Sequence, residues 1–345
     1  MKKKIKSALL SAICTAVLFA GGCQPNIPPE QSIRREIFAM DTVMNIEAYG
    51  GGCNRAEPLI ENEIKRLEGL FSVTDSSSEI SRINGSSGKA VSVSDDTVTL
   101  IKEALAVCSD TNGALDPTVY PIVRDWGFTT GKYQIPSGAR LSELTEKVDY
   151  RRIVIDESNK TVTLPDRVEI DLGAVAKGYT GDRICDILRE YKVDSALLNL
   201  GGNVQTIGKN TSGSPWRVGI RNPASPEDII CTVKVEDKAV ITSGDYERSF
   251  EGEDGKRYWH IIDPSTGYPA DKGLSSVTVV GKRGVECDAL STALFVMGRE
   301  GAADYCRQHP ELEVILIDRD NRLWITSGLR EQCDIPEGQH FEIID

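Results

Sequence analysis

Residues 196–242, ALLNLGGNVQTIGKNTSGSPWRVGIRNPASPEDIICTVKVEDKAVIT, hold four strand-like segments and no helical pattern between them. Ala196–Leu200, Trp216–Ile220, Thr232–Val235 and Ala239–Thr242 are rich in aliphatic and β-branched residues, and Gly, Pro, Asn and Asp turns separate them. Tyr258–Ile262 and Ser276–Val280 continue the run downstream. Working outward, helical periodicity flanks this block. Ala56–Phe71 carries Leu59, Ile60, Ile64, Leu67, Leu70 and Phe71 on one face. Asp95–Cys108 and Ala174–Tyr191 follow suit, as do 284–297 and 299–308. Glu36–Tyr49 reads as one strand and Ser72–Asn84 as a polar loop. Arg152–Ile155 with Thr161–Leu164, and Glu313–Ile317 with Leu323–Thr326, read as hairpins. Strands in runs and helices in groups predict an α+β unit of mixed antiparallel sheets with packed helices, as one body or two intertwined lobes. No GxGxxG follows a strand and no GxxxxGK[ST] occurs, so dinucleotide-fingerprint and P-loop folds lack their defining element.

The start, MKKKIKSALLSAICTAVLFAGGC, has a basic head, an apolar run from Ala8 to Ala20 and small residues before Cys23. It reads as a signal peptide over 1–22, too short for a spanning helix. Cys after Ala-Gly-Gly resembles a bacterial lipoprotein acylation site; an ordinary export signal with a chance Cys is the alternative. The Pro-rich segment over 23–35 reads as a tether, with the catalytic unit over 36–345. The expected location is the periplasmic or extracytoplasmic face of a bacterial cell membrane, held through an acylated Cys23. Net charge is −12, and loss of 1–22 removes four lysines and no acid, giving −16. Such a body offers no footprint for nucleic acid and no basic patch for anionic lipid. Seven cysteines remain beyond Cys14 and Cys23, widely spaced and without a CxxC pair, which suggests neither a disulfide framework nor a zinc site.

Several segments carry residues with chemical use. Asp288, Ser291 and Thr292 stand at i, i+3 and i+4, so a helix puts all three on one face. Hard oxygen donors in that pattern suit Mg²⁺; a solvated helix start, with Asp favoured by the dipole, explains them equally. His260 precedes the turn Asp263-Pro264-Ser265-Thr266-Gly267, which exposes a strand end. Either His260 or Asp263 is placed to deprotonate a hydroxyl or to orient the group that does, and a purely structural His is the alternative. Asp171 and Lys177 flank a Gly-entered helix start able to receive phosphate oxygens, unless the glycines serve packing alone. The glycines of NLGGNV, 199–204, permit close approach of a ligand or a tight turn. GALDPTVYPIVRDWGF, 113–128, reads as an irregular loop with an aromatic wall, in which Asp116 binds a ligand hydroxyl or caps the turn at Pro117. Together these fit a nucleotide phosphate ligand better than a peptide or a sugar polymer.

The motifs AMDTV (39–43), SSEISRIN (77–84), GALDPTV (113–119), DLGAVAKGY (171–179), NLGGN (199–203), TSGDYER (242–248), HIIDPSTGYP (260–269) and DALSTAL (288–294) occur in this order. Their sequence resembles the ApbE family, the FAD:protein FMN transferases, over about residues 37–327. The resemblance implies an α+β catalytic unit that binds FAD and Mg²⁺ and transfers FMN to a Thr or Ser hydroxyl of a target protein, releasing AMP. It implies Asp288, Thr292 and the carbonyl of Ala174 as Mg²⁺ ligands. Met40, Ala114, Leu115, Asp116, Asp171, Lys177 and Ile262 would line the FAD site, and His260, beside Asp263, would activate the acceptor hydroxyl. The implied partner is an exported or membrane redox protein. FAD hydrolysis to FMN and AMP, and FAD storage without turnover, are the competing readings. Three positions depart from the family pattern: Asp41 replaces the Gly of M-G-T, Thr74 replaces an aromatic before the S-E motif, and Ala174 replaces the commoner Gly.

Overall fold

A computed structural model describes residues 31–344. The signal, Cys23 and the tether up to residue 30 lie outside the described residues. The first strand, β1 (Ser32–Ala39), starts within the stretch expected as tether. It is followed by β2 (Thr42–Tyr49), helix α1 (Cys53–Phe71), α2 (Glu79–Asn84), β3 (Val91–Ser92) and α3 (Asp95–Asp110). Next come α4 (Tyr120–Asp125), α5 (Gly138–Thr145), β4 (Val154–Asp156), β5 (Thr161–Thr163) and α6 (Ala176–Glu190). The strand run then comprises β6 (Ser195–Leu200), β7 (Asn203–Ile207), β8 (Trp216–Asn222), β9 (Ser225–Val235), β10 (Ala239–Gly244), β11 (Ser249–Glu251), β12 (Arg257–Trp259) and β13 (Leu274–Gly281). The chain closes with α7 (Gly284–Gln308), β14 (Glu313–Asp318), β15 (Leu323–Thr326), β16 (Cys333–Asp334) and β17 (Phe341–Ile344).

Nine strands form one sheet in the order β1-β2-β6-β7-β10-β13-β14-β15-β17, antiparallel except for the last pair. Two-residue alternation sorts its side chains. Val314 and Leu316 of β14 pack toward α7, whereas Ile315 and Ile317 meet the three-stranded sheet β16-β9-β8 on the opposite face. Helices α1 and α6 cover β1, β2 and β6 through Ile60, Ile64, Ile184 and Leu188. The result is a layer of helices, a wide sheet and a smaller sheet, an α+β architecture as expected.

Six expectations are corrected. Glu36–Tyr49 is a hairpin, because Met40 and Asp41 both adopt left-handed φ, 50° and 59°, and fold the chain back in a two-residue turn. Asn203–Ile207 is a strand paired with β6, the preceding glycines forming the turn at φ 65° and 94°. The 113–128 segment contains a 3₁₀ turn (Pro117–Val119) and α4, and Ser72–Asn84 ends in α2, capped by Ser78 Oγ on Ser81 N. Tyr258–Ile262 is regular only to Trp259; beyond it a single bridge joins Ile262 to Pro269. The two helices expected over 284–308 are joined end to end, with the break at Gly298, φ 77°.

Candidate functional site

Three turns meet at one end of the wide sheet: the Met40–Asp41 turn, the Gly201–Gly202 turn and the segment leaving β10. The first turns of α6 and α7 are brought to each other beside them. Their contact is close because position 178 is glycine. A Cβ there would lie 2.2 Å from the Gly284 carbonyl oxygen and 2.8 Å from Asp288 Cβ. The buried Asp288 accepts the Gly178 N–H on Oδ2 at 2.9 Å. Gln205 Nε2, from β7, donates to the Gly178 carbonyl at 2.9 Å. Asp182 fixes the start of α7 by accepting Gly284 N at 2.7 Å and Val285 N at 2.9 Å.

On α7, Ser291 Oγ donates to the Asp288 carbonyl at 2.9 Å and lies 2.8 Å from Ser243 Oγ of β10; Ser243 Oγ is also 3.2 Å from Thr292 Oγ1. The one-face reading of Asp288, Ser291 and Thr292 therefore holds, with Ser291 turned to its own helix and Ser243 completing the hydroxyl group. Ala174 lies half-buried in the turn that opens α6. Among the described residues no three His, Cys, Asp or Glu side chains gather into a metal cage. A cation here would have to use Asp288, hydroxyls and a carbonyl, a donor set that fits Mg²⁺ and not a soft metal. The buried Asn203 side chain from β7 acts on Asp288, helping to hold its carboxyl down against burial.

Electrostatics ties the rest together. Burial pushes the carboxyls of Asp171, Glu247 and Asp288 up, and the charge of Lys177 opposes that rise in all three. Burial, with the charges of Arg248 and Lys177, holds His260 down to about 3, so it is neutral at pH 7. His260 Nδ1 is buried with no hydrogen-bond partner, and its ring meets Phe128 edge-on at 6.4 Å.

Other predicted residues are placed as follows. Met40 donates its N–H to Glu68 Oε1 at 2.6 Å, and its sulfur accepts from Thr180 Oγ1 at 3.7 Å, next to α6. Asp171 donates its own N–H to the Pro117 carbonyl at 3.0 Å and accepts Gly173 N at 2.8 Å. Asp116 caps its turn: Oδ1 takes Thr118 N and Oγ1, and Oδ2 takes Tyr150 N at 2.9 Å. The capping alternative is the one realised. Ala114 is half-buried, and Leu115 and Ile262 are buried at 5% exposure each, so their side chains serve packing. Asp263 is likewise committed. Its Oδ2 pairs with Lys272 at 2.7 Å and its Oδ1 accepts Ser265 N and Oγ, bonds that outweigh burial and keep the carboxyl low. It orders the turn after His260.

A model of the ApbE family matches residues 40–316. The chain belongs to the ApbE family. It is similar to the FAD:protein FMN transferase of Klebsiella pneumoniae, 34% identical over 285 residues that cover 82% of this chain and 88% of the relative. The Treponema pallidum FAD:protein FMN transferase is 32% identical over 289 residues, 79% of each chain. Among solved structures, the ApbE protein of Thermotoga maritima superposes with a TM-score of 0.82 at 34% identity, covering 88% of this chain and 99% of that one. The flavin transferase ApbE of Vibrio cholerae gives 0.79 at 28% identity, with the same coverage.

Within this ApbE-family chain the Asp41 departure is accommodated by left-handed backbone, and its side chain pairs with Arg248 at 3.1 Å. Thr74 is exposed, its hydroxyl 3.1 Å from Ser72 Oγ. Ser243, Glu247 and Arg248 were not singled out from sequence, although TSGDYER contains all three. Gln205 and Asp182 carried no signal: a Gln in a strand and an Asp inside a helix are ordinary, and only the meeting of α6 with α7 gives them work.

Proposed function

We propose that the protein transfers FMN from FAD to a Thr or Ser hydroxyl of a target protein, with Mg²⁺, releasing AMP. The observation that carries this reading is Asp288, a buried carboxylate joined to the first turn of α6 and bordered by the Ser243, Ser291 and Thr292 hydroxyls. Membership of the ApbE family supports it. Asp288, Thr292 and the Ala174 carbonyl would hold Mg²⁺, which when bound neutralises pyrophosphate oxygens and stabilises the AMP leaving group. Lys177 and the α6 start receive phosphate oxygens. The acceptor oxygen attacks the flavin-side phosphorus. A new P–O bond forms to the acceptor, the pyrophosphate P–O bond breaks, and the bridging oxygen leaves with AMP. His260 is neutral and takes the hydroxyl proton. An arriving pyrophosphate offsets the Arg248 and Lys177 charges that hold His260 low, so substrate itself raises the basicity of this base. Export and anchoring through Cys23 belong to the same proposal, as does an exported or membrane redox protein as acceptor.

The test is incubation of the purified protein with FAD, Mg²⁺ and a protein bearing an acceptor Thr. Covalent flavin fluorescence on the acceptor, with AMP formed in equal amount, is the expected result. FMN and AMP without labelling would make water the acceptor; unchanged FAD would leave a binding protein only.

A further inference from the structure

Arg248 follows directly on Glu247 in the segment leaving β10 and has φ 31°, a left-handed conformation unusual for a residue with a side chain. Its terminal nitrogen Nη2 pairs with Asp41 Oδ2 at 3.1 Å, linking this segment to the β1–β2 turn. Arg248 is about half exposed and Asp41 largely so, at 48% and 79% for their side chains, which places the pair at the rim rather than in the interior. The positive charge nonetheless reaches inward. It bears on Asp171 from the α6 approach, on the neighbouring Glu247 and on His260. The Gly201–Gly202 turn closes the gap between the two elements: a Cβ on Gly202 would lie 3.6 Å from Glu247 Oε1, and one on Gly201 would strike Thr42 at 2.2 Å.

We propose that Arg248 is a binding residue for the anionic pyrophosphate of the dinucleotide, and that Asp41 is a positioning residue that braces Arg248 across the mouth of the site. This rests on the reading above that the site takes FAD. A pyrophosphate entering here faces Asp171, Glu247 and Asp288, whose charge Lys177 and Mg²⁺ at most balance, so the charge of the pyrophosphate itself calls for a further cation. Arg221 and Arg248 both bear on Glu247, and of the two only Arg248 also acts on Asp171 and His260. Its guanidinium engages Asp41 through one terminal nitrogen, and its planar fork suits phosphate oxygens better than an ammonium would. Asp41 is exposed, so its brace is worth little on its own and acts by holding one long side chain in one place.

The experiment measures FAD dissociation constants for the full chain in Mg²⁺ from flavin fluorescence, with riboflavin, which has no phosphate, as control. Arg248→Ala should weaken FAD about tenfold or more and leave riboflavin unmoved. Asp41→Asn should weaken FAD roughly two- to fivefold, an effect that fades at high salt. The double variant Asp41→Arg with Arg248→Asp restores the ion pair, so it should recover the wild-type melting temperature yet bind FAD as poorly as Arg248→Ala. Wild-type affinity in Arg248→Ala, or restored affinity in the reversed pair, would make Arg248 a strut only and overturn the proposal. Tighter FAD binding by Asp41→Asn would make Asp41 a competitor rather than a brace. A wild-type chain that binds no FAD would instead overturn the functional reading, and this inference with it.

Discussion

Asp288 accepts the backbone N–H of Gly178 at 2.9 Å, joining α6 to α7 through two residues that lie 110 apart in the chain. The bond aims one carboxylate oxygen at α6, Asn203 also acts on the carboxylate, and the Ser243 hydroxyl of β10 and the Thr292 hydroxyl of α7 lie 3.2 Å from each other. Removing the charge while keeping an oxygen to accept the Gly178 N–H isolates the catalytic part. Asp288→Asn should lower transfer by roughly two orders of magnitude or more, with little change in melting temperature. Undiminished turnover across a Mg²⁺ titration would remove Asp288 from the metal site.

Position 178 has no room for a methyl group. Gly178→Ala brings a Cβ to within 2.2 Å of the Gly284 carbonyl, which is backbone and cannot turn aside. Separation of α6 from α7 should cost about 1–3 kcal/mol and also abolish the Asp288 geometry. Thermal unfolding and FAD binding should fall together, and a variant with full stability would contradict this contact.

Asp182 holds the start of α7 with both carboxylate oxygens. Asp182→Ala should cost about 1–2 kcal/mol as a lost helix cap. Because Asp288 sits one turn further along, turnover should suffer more than stability. Activity retained in proportion to the folded fraction would show that the cap acts on folding alone.

His260 gives a pH signature. Its folded value of about 3 lies below the ordinary 6.5. Above pH 6.5 neither the folded nor the unfolded His carries a proton, and the contribution is nil. As pH falls from 6.5 toward 3 the unfolded chain takes up a proton that the folded site refuses, so stability drops by up to about 1.4 kcal/mol per pH unit. His260→Gln removes this slope. Its melting temperature relative to wild type should rise between pH 7.5 and pH 5; a constant difference would show that the imidazole titrates normally.

Trp126 lies at the centre of the aromatic cluster beside the His260 turn and donates Nε1 to the Gly267 carbonyl at 2.8 Å. Trp126→Phe leaves that buried carbonyl unpaired, a loss of about 1–3 kcal/mol. Loosening of the 263–267 turn should then reduce transfer more than FAD affinity, measured as kcat against KM.

The legibility of this chain followed the range of the forces involved. Helices α1, α3 and α6 and the strand run were readable because period 3.6 and period 2 are written locally. Asn203–Ile207 was not, because its signal is divided between a glycine turn and a polar stretch, and its pairing with β6 is what makes it a strand. The β1–β2 turn hid behind Met40, which is not a usual left-handed residue. In the site, Asp288, Thr292, Lys177 and His260 were found through residue chemistry and motif order, and their shared field is a product of tertiary burial. Asp263 and Asp116 looked reactive for the same reason they are structural: a carboxylate at a turn captures backbone N–H groups, and a sequence does not say which use prevails.

The wide sheet has a narrow join. Strands β7 and β10 pair through only Ala239 with Gln205 and Val240 with Val204, where β1–β2 and β13–β14 run much longer. Met40, Asp171 and Lys177 belong to the chain before this join, and Ser243, His260, Asp288 and Thr292 to the chain after it. Neither half carries a whole reaction centre. Nucleotide cleavage therefore requires both halves to be docked, which makes turnover a reporter of finished folding.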